Sequence, residues 1–344
     1  MGETLSRLNQ YWFEFVTRGE SGQHAALFAP LGLLLGWLVI RWSTRLVSRE
    51  RGIAWRMGWA HQGLILLSCL ALTALLPIAV IAGRCQSLVE GGSIDWAQWR
   101  ILYHLGLVTL LFVATVVDLD QYVIPDEITL TGTVLGVVGA FAISNMQLIP
   151  VWVDWNHWAP DVGPEIPAWI KTSHHWHGLV WSLTGMVVGA GLTWLARIVS
   201  DWALGLEALG LGDVTLMAMI GSFLGWQPMV CVFLIAPLCG VVVALLLRFS
   251  QGRRALPYGP CLACAAVVVL FTWRAIWERT RELFGHPPTL AGLAILIIGG
   301  MTALLGIVRL YRSIPVAQRR RSPDTQPSPA DSPLTGHPES ETAS

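Results

Sequence analysis

Long apolar runs constrain this chain more than any other feature of its sequence. A helix needs roughly 20 residues to cross about 30 Å of hydrocarbon, and eight runs are close to this length or reach it. They lie at 25–42, 62–83, 101–117, 128–146, 178–197, 228–247, 257–273 and 289–310. A shorter run at 214–227 is expected to form one more span. The sequence therefore predicts an all-α fold, a polytopic integral membrane bundle of eight or nine transmembrane helices.

The composition agrees with a membrane protein and argues against some other classes. Hydrophobic residues make up 54% of the chain and charged residues only 13%, and the mean hydropathy of +0.57 is too high for a water-soluble fold. Lys plus Arg balances Asp plus Glu at 22 each, so no excess charge indicates a nucleic acid or an acidic partner. The expected surroundings are a lipid bilayer, and no nucleic acid is expected to bind.

Arginines predict the orientation, because loops that remain in the cytoplasm keep Lys and Arg. The connection after the first span should therefore be cytoplasmic and the N-terminus external. Alternation from that point places the segments 118–127 and 198–213 in the cytoplasm, together with the C-terminus. The arginines of the first connection are Arg41, Arg45, Arg49, Arg51 and Arg56.

One connection departs from this pattern. Arg274, Arg279 and Arg281 follow the span at 257–273, and the alternation places them outside. Glu278 lies four residues after Arg274, a spacing that pairs side chains on a helix. We therefore expect a short interfacial helix after this span.

The apolar runs and the loops divide the chain into four parts. Residues 1–99 are expected to form an N-terminal membrane region with two transmembrane helices and a short arginine-rich cytoplasmic loop. Residues 100–273 form a central membrane domain, 274–313 a C-terminal transmembrane helix, and 314–344 a disordered tail that has too few apolar residues to fold. The external segment 147–177 is rich in Trp and is expected to form an ordered cap on the outer membrane surface.

Two acidic residues lie where apolar spans meet water at the predicted cytoplasmic boundary. Asp118 ends the third span, ahead of a helix that begins near Pro125, and Asp213 opens the short ninth run. An ionisable group at the membrane is costly and suggests a functional site. Two carboxylates at one depth can share a proton, so that the ionised one activates a water while the protonated one polarises a peptide carbonyl. Gly210 and Gly212 have no Cβ and would leave room for a substrate backbone beside Asp213.

Three motifs follow one another between about residues 100 and 270. The first is an aspartate seven positions before a proline that opens a helix, Asp118 with Ile124-Pro125-Asp126. The second is Gly-x-Gly-Asp ahead of a helix that ends in Gly-Trp, Gly210-Leu211-Gly212-Asp213 with Gly225-Trp226. The third is Leu256-Pro257-Tyr258-Gly259-Pro260. This ordered set resembles the type IV prepilin leader peptidase family, whose usual third motif is Pro-Phe-Gly-Pro.

The resemblance implies an aspartic endopeptidase in a bacterial inner membrane, with residues 100–273 as the catalytic membrane domain. Asp118 and Asp213 would be the catalytic pair and would face the cytoplasm, and Gly210 and Gly212 would lie against the substrate. The substrate would be a pilin-like or pseudopilin precursor that loses its short basic leader. No metal and no cofactor is implied, and the oligomeric state stays open.

The chain departs from the family pattern at two places. Many bacterial members carry a cysteine-rich zinc domain after the first span, which is linked to N-methylation of the product. Here that position holds the arginine-rich stretch 41–61 without a Cys pair, so zinc is not expected and methyltransferase activity is in doubt. The family's usual lysine two residues after the second aspartate is Thr215.

Other interpretations of the two acids stay open at this point. Each could simply cap a span at the water boundary. A Gly-x-Gly-Asp motif also occurs in presenilin-like intramembrane aspartyl proteases, but there the partner acid normally follows a tyrosine, whereas Asp118 follows Val117. The acids could also be proton or cation sites of a transporter, or belong to a non-catalytic assembly factor, although no inverted repeat is visible.

The remaining polar residues are given structural explanations. Asp120 lies roughly 200° around a helix from Asp118, while Asp126 and Glu127 open a helix and favour its dipole. Glu207 matches an acid often seen in this stretch of the family that the chain resembles, and a solvated loop charge explains it at least as well. Helix packing is expected for Cys261 and Cys264, and solvation rather than metal binding for the acids and histidines of the external segment, which are Asp154, His157, Asp161, His174, His175 and His177.

Overall fold

The computed structural model describes residues 21–87, 97–143, 146–152, 154–159, 163–165, 167–204, 209–251 and 257–313. The predicted tail at 314–344 lies outside the described residues, as do Glu207 and Asp161.

Helices make up most of the described chain, and two short strands complete it. In chain order the elements are α1 Ser21–Arg51, α2 Trp59–Ile81, α3 Ala97–Gln121, α4 Asp126–Ile143, β1 Asp154–Ala159, β2 Gly163–Glu165, α5 Ala168–Thr172, α6 His174–Leu204, α7 Leu211–Leu224, α8 Trp226–Gln251, α9 Gly259–Gly285 and α10 Pro287–Ser313. The strands pair antiparallel, with Asp154 opposite Glu165 and Ala159 opposite Gly163. This ribbon is an addition that the all-α expectation did not contain.

The expected bundle of membrane helices is confirmed. Six helices of the described chain are long and apolar enough to cross a membrane. They are Phe28–Arg51, Trp59–Ile81, Trp99–Gln121, Asp126–Ile143, His174–Trp202 and Gly259–Gly285. Three further apolar stretches are shorter, at Leu211–Leu224, Trp226–Val242 and Pro288–Ala303.

The separate interfacial helix predicted after 257–273 is wrong. Helix α9 continues without a break to Gly285. No Gly or Pro interrupts the sequence between Cys261 and Phe284, and the ion pair from Arg274 to Glu278 forms within the helix, with 3.1 Å between Nε and Oε1. The charges therefore extend one long helix rather than start a new one.

Helix α3 lies at the centre of the bundle. In the most apolar stretch of α3, 72% of the residues are buried inside the protein, whereas in that of α4 only 28% are buried. Polar groups within it bond to neighbouring helices, as when the Tyr103 hydroxyl donates to the carbonyls of Gly136 at 2.8 Å and Ser222 at 3.2 Å. Because Asp118 is part of α3, its carboxylate is placed inside the bundle.

Glycines bring α6 into backbone contact with its neighbours. A Cβ at Gly185 would overlap the carbonyl oxygen of Gly221 in α7, and a Cβ at Gly221 would overlap that of Gly185. Gly189 faces the Met217 carbonyl in the same way, and Gly178 faces the Ala140 carbonyl of α4. Small residues of this kind let membrane helices approach closely, and here they fix α7, which carries Asp213, against α6.

An ordered segment covers one end of the bundle, as the sequence predicts for part of 147–177. The Trp226 indole donates to the Val151 carbonyl at 2.8 Å. The ring of His177 is 3% exposed and accepts the Val151 N–H at 3.1 Å. His177 is therefore a buried structural group, and its predicted solvation is wrong.

Ion pairs join the helices at the opposite end. Arg51, at the end of α1, pairs with Asp120 at 2.8 Å, and Arg49 pairs with Glu127 at the start of α4. The arginine-rich end of α1 therefore lies at the same end of the bundle as Asp118.

Candidate active site

Asp118 is a buried carboxylate held by the start of a distant helix. It lies in the last turn of α3 and is 4% exposed. A buried carboxylate is costly unless it is hydrogen-bonded, and its Oδ2 accepts the backbone N–H of Gly259 at 3.1 Å. Gly259 opens α9, where free N–H groups and the helix dipole favour an anion. A Cβ at this position would overlap the Asp118 carboxylate, so the contact requires glycine.

Asp213 is the second buried carboxylate and lies in the first turn of α7. It is 8% exposed, and its Oδ2 accepts the backbone N–H of Gly210 at 3.2 Å. The capping interpretation is therefore correct as far as it goes, because this acid does cap its own helix. Capping uses one of its two carboxylate oxygens.

The structure brings the two acids together although they are far apart in sequence. Their carboxylates are close enough for their charges to interact. Ile124 lies between the elements that carry them: its Cδ1 is 3.1 Å from the Cβ position of Gly259, and its Cβ is 3.1 Å from that of Gly212. The end of α3, the turn before α7 and the start of α9 therefore meet at one place.

The two predicted glycines occupy different positions around Asp213. Gly210 is exposed, and a Cβ there would approach nothing nearer than 3.8 Å. Gly212 is half-buried against Ile124, so the tight helix contact already explains its lack of a side chain. Open space beside Asp213 is thus found at Gly210.

Sequence reasoning missed two contributions from the third motif. Gly259 supplies the N–H that Asp118 accepts, and Tyr258 lies half-buried beside it, where burial, together with the nearby Cys261 and Asp213, raises the pKa of its phenol to about 12. The motif itself was visible, since Gly259-Pro260 is a typical helix start. Its contact with Asp118 joins residues 141 positions apart, which no local pattern indicates.

The neighbouring acids have structural partners. Asp120 points away from the site to Arg51, and Glu127 pairs with Arg49. Asp126 is exposed in the first turn of α4. These positions are consistent with the structural explanations given to them from the sequence.

The described part of the chain contains no group of three or more His, Cys, Asp or Glu side chains that could hold a metal ion. Cys261 is a buried free thiol and Cys264 an exposed one.

Comparison with known proteins finds similarity to type IV leader peptidases over part of the chain. The model of the type IV leader peptidase family matches residues 165–245, which contain Asp213 but not Asp118. A type 4 prepilin-like proteins leader peptide-processing enzyme of Escherichia coli is 35% identical over 35% of this chain and 46% of its own length. Prepilin leader peptidase/N-methyltransferases of Aeromonas hydrophila and Pseudomonas putida are each 27% identical, over 62% and 61% of this chain and 60% and 70% of their own lengths.

The similarity to the type IV leader peptidase family is thus found for residues 165–245. The chain spans about half the length of several curated relatives that it matches, 46% and 50% for two of them. No solved structure matches it. The junction of α3, α7 and α9 is the place where the sequence motifs and the buried acids coincide.

Proposed function

We propose that this protein is an aspartic endopeptidase that removes the leader peptide from type IV prepilin-like or pseudopilin precursors at the cytoplasmic face of the membrane. One observation carries the proposal: two buried carboxylates, Asp118 and Asp213, come from separate helices and interact. Two acids that merely capped their own helices would have no reason to meet. Similarity to the type IV leader peptidase family supports the same reaction.

The chemistry needs only the two acids and a water. Like charges at close range favour a state in which the pair holds one proton. The ionised acid takes a proton from the water as its oxygen attacks the scissile carbonyl carbon, and the protonated acid gives its proton to the carbonyl oxygen. Collapse of the tetrahedral intermediate breaks the C–N bond, and a proton passes to the leaving nitrogen.

The substrate would be a single-span precursor whose leader lies in the cytoplasm. Its peptide backbone would approach Asp213 on the side of Gly210, where no atom of the described residues lies nearer than 3.8 Å to the Cβ position. The relatives named prepilin leader peptidase/N-methyltransferase combine two activities. We propose only the peptidase for this chain, because its stretch 41–61 has no Cys pair.

The membrane arrangement follows from the apolar helices and the arginines. We propose that α8 and α10 cross an inner membrane together with the six longer helices, and that α7 forms a ninth span. Helix α7 has 14 residues and is about 21 Å long, so Asp213 at its start would lie at or just below the lipid boundary. Arg49 and Arg51 at the same end support a cytoplasmic location for the site and for the C-terminus, with the N-terminus outside.

The test is cleavage of a co-expressed pilin-like precursor. Wild type should shorten the precursor, and mass measurement of the product gives the cut site and reveals any added methyl group. Asp118→Asn and Asp213→Asn should each lower the rate at least about 100-fold, because each removes a group that transfers a proton.

The matched control is Asp126→Asn, the same substitution at an exposed acid near the same end of the bundle. It should cleave at the wild-type rate. A precursor that stays intact with wild type would rule the peptidase out and would favour the transporter or assembly-factor interpretations. Normal cleavage by both aspartate variants would rule out Asp118 and Asp213 as the catalytic pair.

A further inference from the structure

We propose that Arg51 is a positioning residue: through its ion pair with Asp120 it holds the turn after α3, and that turn holds Asp118 and Ile124 at the candidate site. This inference rests on the proposed peptidase function. It gives a part in the reaction to the N-terminal membrane region, which contains neither of the two acids.

The turn between α3 and α4 is part of the wall of the site. Asp118 lies in the last turn of α3, directly before it. Ile124 lies within the turn, is 6% exposed, and its Cβ is 3.1 Å from the Cβ position of Gly212, the residue before Asp213. A shift of this turn would therefore move Asp118 and the side chain that packs beside Asp213 together.

The backbone of this turn has an unfavourable conformation. Tyr122 has a φ of 57°, in the left-handed region that residues other than glycine rarely adopt. Its N–H donates to the Asp118 carbonyl at 2.9 Å. Such a conformation costs energy and persists where the surrounding structure fixes it. The turn therefore needs contacts that hold it in place.

The end of α1 supplies contacts on both sides of Tyr122. Before it, Nη2 of Arg51 donates to Oδ2 of Asp120 at 2.8 Å. After it, Arg49 pairs with Glu127 in the first turn of α4. Two arginines at one helix end thus bridge the turn.

Both side chains of the Arg51 pair are held by further contacts. The Arg51 guanidinium lies over the Trp55 ring, 6.0 Å from its centroid. The Trp55 N–H donates to Ser48 Oγ at 3.0 Å, which fastens the segment after α1 to that helix. Oδ2 of Asp120 also accepts a bond from the Gln121 side chain. The pair is therefore better restrained than an isolated surface ion pair, which contributes little.

Exposure distinguishes the two ion pairs. The side chains of Arg49 and Glu127 are 60% and 49% exposed, whereas those of Arg51 and Asp120 are 37% and 22% exposed. Salt and water screen an exposed pair more strongly. Asp120 is also only two residues from Asp118, so the Arg51 pair is the one that controls its position.

The test is a double-mutant cycle in precursor cleavage by purified full-length protein, with Arg51→Gln, Asp120→Asn and the double variant. Each single change should lower kcat about tenfold, because it lets Asp118 leave its reacting position. KM should stay within about twofold, because no group that binds substrate is removed. The double variant should also lose about tenfold, since all three proteins lack the same contact.

The matched control is Arg45→Gln, the same substitution at an exposed arginine of the same helix. Its kcat and KM should be those of wild type. Should Arg51→Gln be too unstable to purify, Asp120→Asn removes the same contact from the other side and provides the same comparison with wild type.

Three results overturn the inference. Wild-type kcat in both single variants would show that the turn does not need the ion pair. A loss of about 100-fold in the double variant would show that the two side chains act separately, and a raised KM with unchanged kcat would show that they bind substrate. If these results are found while Asp118→Asn is inactive, the peptidase proposal stands and this inference alone fails. Wild-type protein that leaves the precursor intact contradicts the peptidase proposal itself, and this inference falls with it.

Discussion

A single backbone N–H fixes one of the two acids from across the bundle. Gly259 bonds to Asp118, and any side chain at this position would occupy the place of the carboxylate. We expect Gly259→Ala to displace Asp118 and to lower the cleavage rate about 100-fold, because a displacement of about 1 Å at a reacting group has an effect of that size. The measurement is the initial rate of precursor cleavage.

The control for this variant is Gly299→Ala, since the Cβ position of Gly299 in α10 faces open space. That protein should keep the wild-type rate. Both variants should unfold at similar temperatures in detergent if the effect is confined to the site. Full activity of Gly259→Ala would mean that Asp118 does not need its present position.

Single site residues could be predicted from the sequence where a short motif contains them. Asp118, Asp213 and their glycines follow from short motifs at the ends of apolar runs. The partners of these residues do not, because the Gly259 contact depends on how α9 packs against α3. His177 shows the same limit: its bonds to the cap depend on a tertiary contact that the sequence around it does not reveal.

At the scale of elements, apolar length predicted the helices well and their ends less well. Helix α9 extends beyond the predicted span because its charged residues pair within the helix, so polarity alone did not end it. The ribbon of β1 and β2 was missed because a Trp-rich segment with prolines has no helix or strand period. The position of Asp213 depends on the close packing of α6 on α7, and this packing depends on glycines.

That packing can be tested with one substitution. Gly185→Leu places a side chain where the Gly221 carbonyl lies, and overpacking of this kind costs about 1 to 3 kcal/mol. We expect a lower unfolding temperature in detergent, together with slower precursor cleavage, because α7 carries Asp213. Gly191→Leu, on the same helix but facing open space, should leave both quantities unchanged. Equal unfolding temperatures for the two variants would contradict the close contact.

At the scale of the whole molecule, the two ends of the bundle are chemically different. One end has Arg49 and Arg51 paired with acids of α3 and α4 beside the candidate site. At the other, Trp226 bonds to the 146–152 segment and the N–H of Arg274 donates to the Arg84 carbonyl at 3.0 Å. The arginines that break the predicted charge pattern are thus part of a long helix, and the backbone of Arg274 bonds to Arg84 at this end.

This asymmetry predicts the orientation in the membrane, and reporter fusions test it. Alkaline phosphatase is active only when it is exported, so a fusion after Ser87 should be active, whereas fusions after Arg51 and after Ser313 should be inactive. The physical reason is that the arginine-rich end of α1 is retained in the cytoplasm. A fluorescent protein that folds only in the cytoplasm should give the opposite pattern at the same three positions. Phosphatase activity after Arg51 or Ser313 would show that the bundle has the opposite orientation. Asp118 and Asp213 would then lie on the external side, where a cytoplasmic leader could not reach them.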